Sequence, residues 1–272
     1  MIRVENLDKQ FDGRAVLTDV SLEIFEGETL AIIGRSGSGK SVLMKHIIGL
    51  MQPDRGRVTV DGTDINRISY SELRNVRRQF GVLFQGGALF DSMSAYDNVA
   101  FPLKTFTNKS DAEIDREVRV CLEMVELPDV GEKMPAELSG GMKKRVALAR
   151  AVSLRPRYIL YDEPTSGLDP ETSNTIDVLI KGLADQLNVT SIVITHDMHS
   201  VLNIADRAAF IYRGRMHWVG TMEELHGSDD RTLGDFVRAN EYQIGRTNGR
   251  PAAADDGETG KADAGMTKPE NM

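Results

Sequence analysis

The sequence predicts an α/β fold: a parallel sheet with helices packed on it, and a helical block set into the chain. Three observations predict it. Short apolar runs that read as buried strands alternate with helical patterns, the pattern of parallel strands joined by crossover helices. A glycine-rich run over 34–41 lies between one such strand and one such helix. Residues at about 90–155 read mostly as helix, with strong periodicity over 112–126 and 140–154.

The elements follow in order. Ile2, Val4 and Leu7 begin a first strand, and residues 16–25 alternate loosely until the turn signal Glu26-Gly27-Glu28. Residues 29–33 are an apolar run ending in glycine, which marks a buried strand. A helix starts near Lys40, runs through Leu43, Met44, Ile47 and Ile48, and stops at Gly49. Residues 57–84 give short strands around Asp61-Gly62 and a polar helix near 70–78. Pro156 ends the helical block, because proline pushes the preceding residue out of helical backbone space. Strand runs return at 158–161, 190–194 and 208–212, with a helical stretch over 171–187. Residues 222–225 and 233–237 allow two short helices. From Arg246 onward the chain has almost no large apolar residue, too little to offset the entropy of ordering. The expected domains are therefore a body over 1–226, a short C-terminal extension over 227–245 and a disordered tail over 246–272.

Composition argues against several function classes. The 272 residues are 40% hydrophobic and 27% charged, ordinary for a globular chain. Net charge is −8, which argues against a duplex nucleic-acid partner, since such partners demand a basic face. Cys121 is the single cysteine, so no internal disulfide forms; its spacing from Ile114, Val118, Leu122 and Val125 puts it on an apolar helix face. No apolar run reaches the roughly 20 residues that cross a bilayer, and Met1-Ile2-Arg3-Val4-Glu5-Asn6 does not begin a signal peptide. Any membrane association is expected to be peripheral.

Two runs carry chemistry. Gly34-Arg35-Ser36-Gly37-Ser38-Gly39-Lys40-Ser41 fits G-x-x-x-x-G-K-[ST] in its required strand-to-helix frame. Small residues let backbone N–H groups close around phosphates, and the following helix points its positive end at them. Lys40 is expected to reach the β- and γ-phosphates and Ser41 to ligate Mg²⁺. Tyr158-Ile159-Leu160-Tyr161-Asp162-Glu163 is a strand ending in two carboxylates. Asp162 reads as the metal-side acid and Glu163 as the base that orients and deprotonates an attacking water. Asp-Glu-Pro is equally a common turn opening. His46, His199, His217 and His226 show no metal-ligand spacing with partners.

With these runs in place, the sequence resembles the nucleotide-binding subunit of an ABC transporter over about 1–226. The resemblance adds Phe11 where an aromatic stacks on adenine, and Gln85 after the strand end Val82-Leu83-Phe84. It adds the signature Leu138-Ser139-Gly140-Gly141-Met142, the loop Ser166-Gly167-Leu168-Asp169, and His196 in Ile194-Thr195-His196-Asp197. It implies a P-loop NTPase core with an ABC-type antiparallel β subdomain and an inserted helical subdomain. It implies ATP as the bound nucleotide, hydrolysed with Mg²⁺ held by Ser41, Gln85 and Asp162, and Glu163, His196 and Gln85 as catalytic residues. Ser139, Gly140, Gly141 and Met142 would reach the γ-phosphate held by a second copy, with Asp169 beside them, in a head-to-tail ATP sandwich. Small residues opening a helix are an anion site, and equally a plain cap. Phe11 in a strand could also simply pack.

Local features narrow the resemblance. The stretches 84–93 and 97–103 and the run Leu138 to Arg145 resemble the ATPases of Mla-type lipid transport; the more usual ABC signature has Gln where Met142 stands. That branch implies an integral membrane permease, a lipid-binding MCE-domain protein and, in some systems, a small STAS-domain subunit. It implies a place on the cytoplasmic face of the inner membrane. Leu89, Phe90 and Met93 on a loop suit burial under a permease helix or local packing. Leu233, Phe236, Val237 and Tyr242 suit clasping a partner ATPase or packing on their own domain. The rival readings are an ATPase for amino-acid import or cell division, a soluble ABC ATPase of repair or translation, and a non-hydrolysing binding module. The acidic chain lacks a long coiled coil and a second ATPase domain, and Glu163, Gln85 and His196 are all in place.

Overall fold

The computed structural model describes residues 1–246, with side chains to Asn240; the side chain of Tyr242 and nearly all of the tail expected over 246–272 lie outside the described part. Two sheets share the chain. The smaller contains β1 (Ile2–Phe11), β2 (Arg14–Ile24), β4 (Arg55–Val60) and β5 (Thr63–Asp64) in the order β2-β1-β4-β5, with all pairs antiparallel. Asp12 and Gly13, both at positive φ, turn β1 into β2 with Phe11 opposite Arg14.

The larger sheet runs β10-β9-β3-β8-β7-β6. It comprises β3 (Thr29–Ile33), β6 (Phe80–Leu83), β7 (Tyr158–Asp162), β8 (Thr190–Thr195), β9 (Arg207–Tyr212) and β10 (Arg215–Thr221). Its pairs are parallel except β9 with β10. Between strands lie α1 (Lys40–Ile47), α2 (Tyr70–Arg77), α6 (Pro170–Leu187) and α7 (Met198–Ile204). The inserted helices are α3 (Ala95–Phe106), α4 (Asp111–Met124) and α5 (Gly140–Val152), and α8 (Met222–His226) and α9 (Arg231–Arg246) close the described chain. No helix among the described residues is long and apolar enough to cross a membrane.

Strand alternation builds the cores. Leu30 and Ile32 of β3 face one apolar cluster with Leu43, Met44 and Ile47 of α1, while Ala31 and Ile33 face another with Met198, Phe210 and Phe236. Tyr158 and Leu160 of β7 join the first of these, and Ile159 and Tyr161 a third, shared with α3, α4 and α5. Each fully buried side chain of this kind contributes about 1.5–3 kcal/mol. Strands buried on both faces read as continuous apolar runs, as 29–33 and 158–161 do. Cys121 is buried on α4, where desolvation pushes its thiol up to about 11, so it packs as an inert apolar group. Ser94, Ser139 and Asp169 each accept from the backbone N–H three residues on, starting α3, α5 and α6.

Register aligns the ends of the parallel strands. Ile33 pairs with Thr195, Asp162 with Ile194 and Leu83 with Tyr161. The residues after β3, β6, β7 and β8 thus emerge together at the carboxyl edge of the sheet, where open α/β sheets bind ligands.

Candidate active site

That edge holds a cleft of about 600 Å³ walled by Arg35, Ser36, Gly37, Gly39, Lys40, Ser41, Gln85, Asp162, Glu163 and His196. Gly34 sits at φ +154, where a Cβ would lie 2.5 Å from the Ile211 carbonyl oxygen. Ser38 lies behind the wall, its hydroxyl buried without a partner. Gly39 leads into α1, whose first turn has no acidic side chain, so its free N–H groups face the cleft.

Lys40 is buried and bends back over its own loop, donating from Nζ to Gly34 O at 2.7 Å and Arg35 O at 3.2 Å. Burial holds its pKa below the usual lysine value, against the opposing charges of Glu163 and Asp162. Asp162 is raised by burial first and by the Glu163 charge beside it, with Lys40 and the Ser41 hydroxyl opposing. A carboxyl destabilised in this way next to a hydroxyl and an amide is an oxygen donor set short of a cation, so Ser41, Gln85 and Asp162 fit Mg²⁺. Among the described residues no cluster of three or more His, Cys, Asp or Glu is placed to hold a metal ion.

Glu163 adopts φ +50, left-handed backbone that a side chain seldom takes. Its N–H donates to Ile194 O at 2.8 Å, which ties the turn to β8. The carboxylate Oε2 stands 2.9 Å from Nδ1 of His196, which follows β8 directly. A carboxylate and an imidazole therefore share one hydrogen bond on the wall that also carries the phosphate loop, a pair chemically able to position and deprotonate a water.

The structure does not bring every predicted residue to this cleft. Ser139, Gly140, Gly141, Met142 and Asp169 lie outside its wall, together on another face where α5 meets α6. Phe11 stands at the β1–β2 hairpin tip, 42% exposed under Lys9 Nζ at 5.5 Å from the ring, and Val16 is the nearby residue that lines the cleft. Sequence reading missed Phe236, Ala239 and Asn240 of α9, which also line it. Leu233 and Phe236 pack on their own domain, Phe236 against Phe210 with ring centroids 5.0 Å apart. Their spacing of three was the available signal, but it does not say which surface they cover.

A second, apolar groove of about 510 Å³ opens beyond Gln85, lined by Phe84, Phe90, Phe101, Pro102, Phe106 and the arginines Arg74, Arg77, Arg78 and Arg150. The loop carrying Phe90 is pinned from below. Buried Asn98 accepts from Phe90 N–H and donates to the Phe90, Met93 and Ser94 carbonyls, and Arg150 donates to the Gly87 and Ala88 carbonyls.

Comparison with known proteins agrees with this geometry. Residues 17–166 match the family model described as ABC transporter. The chain is 43% identical over 238 residues to the intermembrane phospholipid transport system ATP-binding protein MlaF of Haemophilus influenzae, covering 88% of this chain and 90% of that one. It is 42% identical over 236 residues to the probable ribonucleotide transport ATP-binding protein mkl of Mycobacterium leprae, covering 87% of this chain and 68% of that one. Among solved structures, the dimeric post-hydrolysis state of the ATP-binding cassette MJ0796 with ADP and phosphate superposes with a TM-score of 0.75 at 33% identity, over 82% of this chain and 99% of that one. The chain belongs to the ABC transporter family, as an ATP-hydrolysing subunit.

Proposed function

We propose that this chain is the motor subunit of an ABC system that moves phospholipids or similar hydrophobic molecules. The observation that carries the catalytic half is the meeting of Lys40, Asp162, Glu163, His196 and Gln85 on one cleft at the ends of adjacent parallel strands. On binding ATP, Lys40 exchanges its Gly34 and Arg35 carbonyl partners for β- and γ-phosphate oxygens, and the N–H groups of residues 35–41 close around them. Ser41, Gln85 and Asp162 would hold Mg²⁺, which would supply charge neutralisation on the phosphate oxygens. Glu163 takes the proton of the attacking water, and His196, hydrogen-bonded to it, donates toward the γ-phosphate as charge builds there.

Ser139–Met142 and Asp169 lie off their own cleft, which supports their service to a second copy in a head-to-tail pair. Phe11, at an exposed hairpin tip, is free to stack on adenine. The groove beside Gln85 has the shape and apolar lining to seat a helix of the membrane permease, and its arginine rim favours an acidic helix. That docking makes the subunit a peripheral protein on the cytoplasmic face. The lipid assignment, with an MCE-domain partner and in some systems a STAS-domain subunit, is supported by the likeness to MlaF and by Met142 in the signature. The likeness to mkl at nearly equal identity favours a second reading, an ABC system with another cargo.

Glu163→Gln should keep ATP binding, lose at least about 100-fold in turnover and accumulate an ATP-bound dimer. Turnover at the parent rate would remove the base assignment. Affinity purification from detergent-solubilised membranes tests the cargo: recovery of a permease and an MCE-domain protein with bound phospholipid is expected, and a permease without either counts against lipid transport.

A further inference from the structure

Lys144 lies one turn inside α5, on the face that also carries Gly141 and Leu148, and is 5% exposed. Its Nζ donates to the carbonyl oxygens of Pro164 at 2.5 Å, Ser166 at 2.8 Å and Glu163 at 3.3 Å. An ammonium has three N–H groups, so this set uses all of them. Among the described residues Lys144 makes no ion pair with a carboxylate. Burial pulls its pKa down to about 8, with only the Glu163 charge opposing. A buried cation without a carboxylate is expensive, and an apolar side chain would fill the same space at lower cost.

What the ammonium holds is the turn that carries Glu163. The Glu163 N–H is tied to β8 through Ile194, and its carbonyl side is tied to α5 through Lys144. Between these ties the residue keeps its left-handed backbone. The start of α5 is the Ser139–Met142 turn, one helical turn from Lys144. A rigid helix start and the base of the reaction are thus joined by one side chain.

We propose that Lys144 is a positioning residue that fixes the Glu163 turn to α5, so that the seating of the signature turn on a partner's nucleotide sets the aim of the base. The inference rests on the assignment of Glu163 as base. Because Lys144 touches only backbone, its loss moves the base without removing it or any phosphate contact.

The test uses the full chain, with Lys144→Met (unbranched, one atom shorter, no donor) and Lys144→Gln (neutral, two donors). Turnover, ATP affinity by equilibrium binding, and ATP-dependent dimerisation by size exclusion are measured for each. A base displaced by about 1 Å loses on the order of 100-fold in rate, so Lys144→Met should lose that in kcat. Its ATP affinity should stay within about twofold, the ATP-bound dimer should accumulate, and Lys144→Gln should recover part of kcat. A Lys144→Met protein with parent kcat, or one that loses ATP affinity or dimerisation along with kcat, overturns the proposal. If Lys144→Met does not fold, Lys144→Gln decides on the same readouts: a partial loss of kcat alone supports the proposal, and parent kcat overturns it. Failure of the underlying base assignment is seen separately, as parent turnover by Glu163→Gln.

Discussion

Gly141→Ala probes the contact between the signature turn and the start of α6. A Cβ at Gly141 would lie 2.4 Å from Cγ2 of Thr172. Thr172 cannot easily swing aside, because it is β-branched and its Oγ1 donates to Asp169 Oδ2 at 2.6 Å while its N–H donates to Asp169 Oδ1 at 2.9 Å. Either the Thr172–Asp169 bond is given up or α5 and α6 separate. Overpacking of this kind costs roughly 1–3 kcal/mol, and the better helix propensity of alanine returns up to about 1 kcal/mol. A net loss of about 1–2 kcal/mol lowers Tm by roughly 2–8 °C for a domain of this size. Thermal melts of the full chain, single and double variants side by side, measure it. Thr172→Ser removes the offending methyl and keeps the hydroxyl, so Gly141→Ala with Thr172→Ser should melt above Gly141→Ala alone. A single variant as stable as the parent, or a double variant no better than the single, would refute the steric account.

Two further outcomes follow from buried polar groups. Asp177 on α6 is buried with no donor at full hydrogen-bond distance from either carboxylate oxygen, and its pKa is raised to about 6, first by desolvation and also by Asp197, while the polar groups of Ser200 and Asn203 and the nearby His199 oppose only weakly. Raised above its unfolded value, it makes the folded chain bind more protons between pH 3.8 and about 6, so stability falls as pH rises through that window. Asp177→Asn should therefore raise Tm at pH 7.5 by relieving a cost on the order of 2–3 kcal/mol, and raise it much less at pH 4; an equal gain at both pH values would show that ionisation is not the cause. Asn98→Ala leaves the Phe90 N–H and the Met93 carbonyl without a partner, while the Phe90 and Ser94 carbonyls keep backbone donors, at about 1–3 kcal/mol per orphaned group that stays dry. Permease recovery in pull-downs should drop while ATP affinity holds, and a loss of ATP affinity of the same size would contradict the separation of groove from cleft.

The central strands and the phosphate loop were legible because each is a local statement. An apolar run closed by glycine or by carboxylates needs no partner to be read, and β3 and β7 are of that kind. What failed to show in the sequence depends on distant chain. Phe80–Leu83 could have extended the neighbouring short strands, and only pairing with Tyr158–Tyr161 puts it in the large sheet and brings Gln85 to the cleft. The residues over 233–237 gave a short apolar helix, whereas α9 runs Arg231–Arg246, continuing past Val237 through polar residues. Lys144 stands in a run of cations that carries no local sign of burial; it is buried because a loop twenty residues later brings it carbonyls. Phe11 is a residue whose partner neither sequence nor fold names by itself: it stands exposed at a hairpin tip with Lys9 over its ring.

The separation of Lys40 from Ser139–Met142 within one chain has a genetic consequence. If two copies pair head to tail as proposed, each cleft would draw its phosphate loop from one copy and its signature turn from the other. A copy spoiled only at Lys40 and a copy spoiled only at Ser139 are each inert when paired with themselves. Paired with each other, they place both defects in one cleft and leave the second cleft intact. Two null alleles of this gene would then complement one another in the same cell.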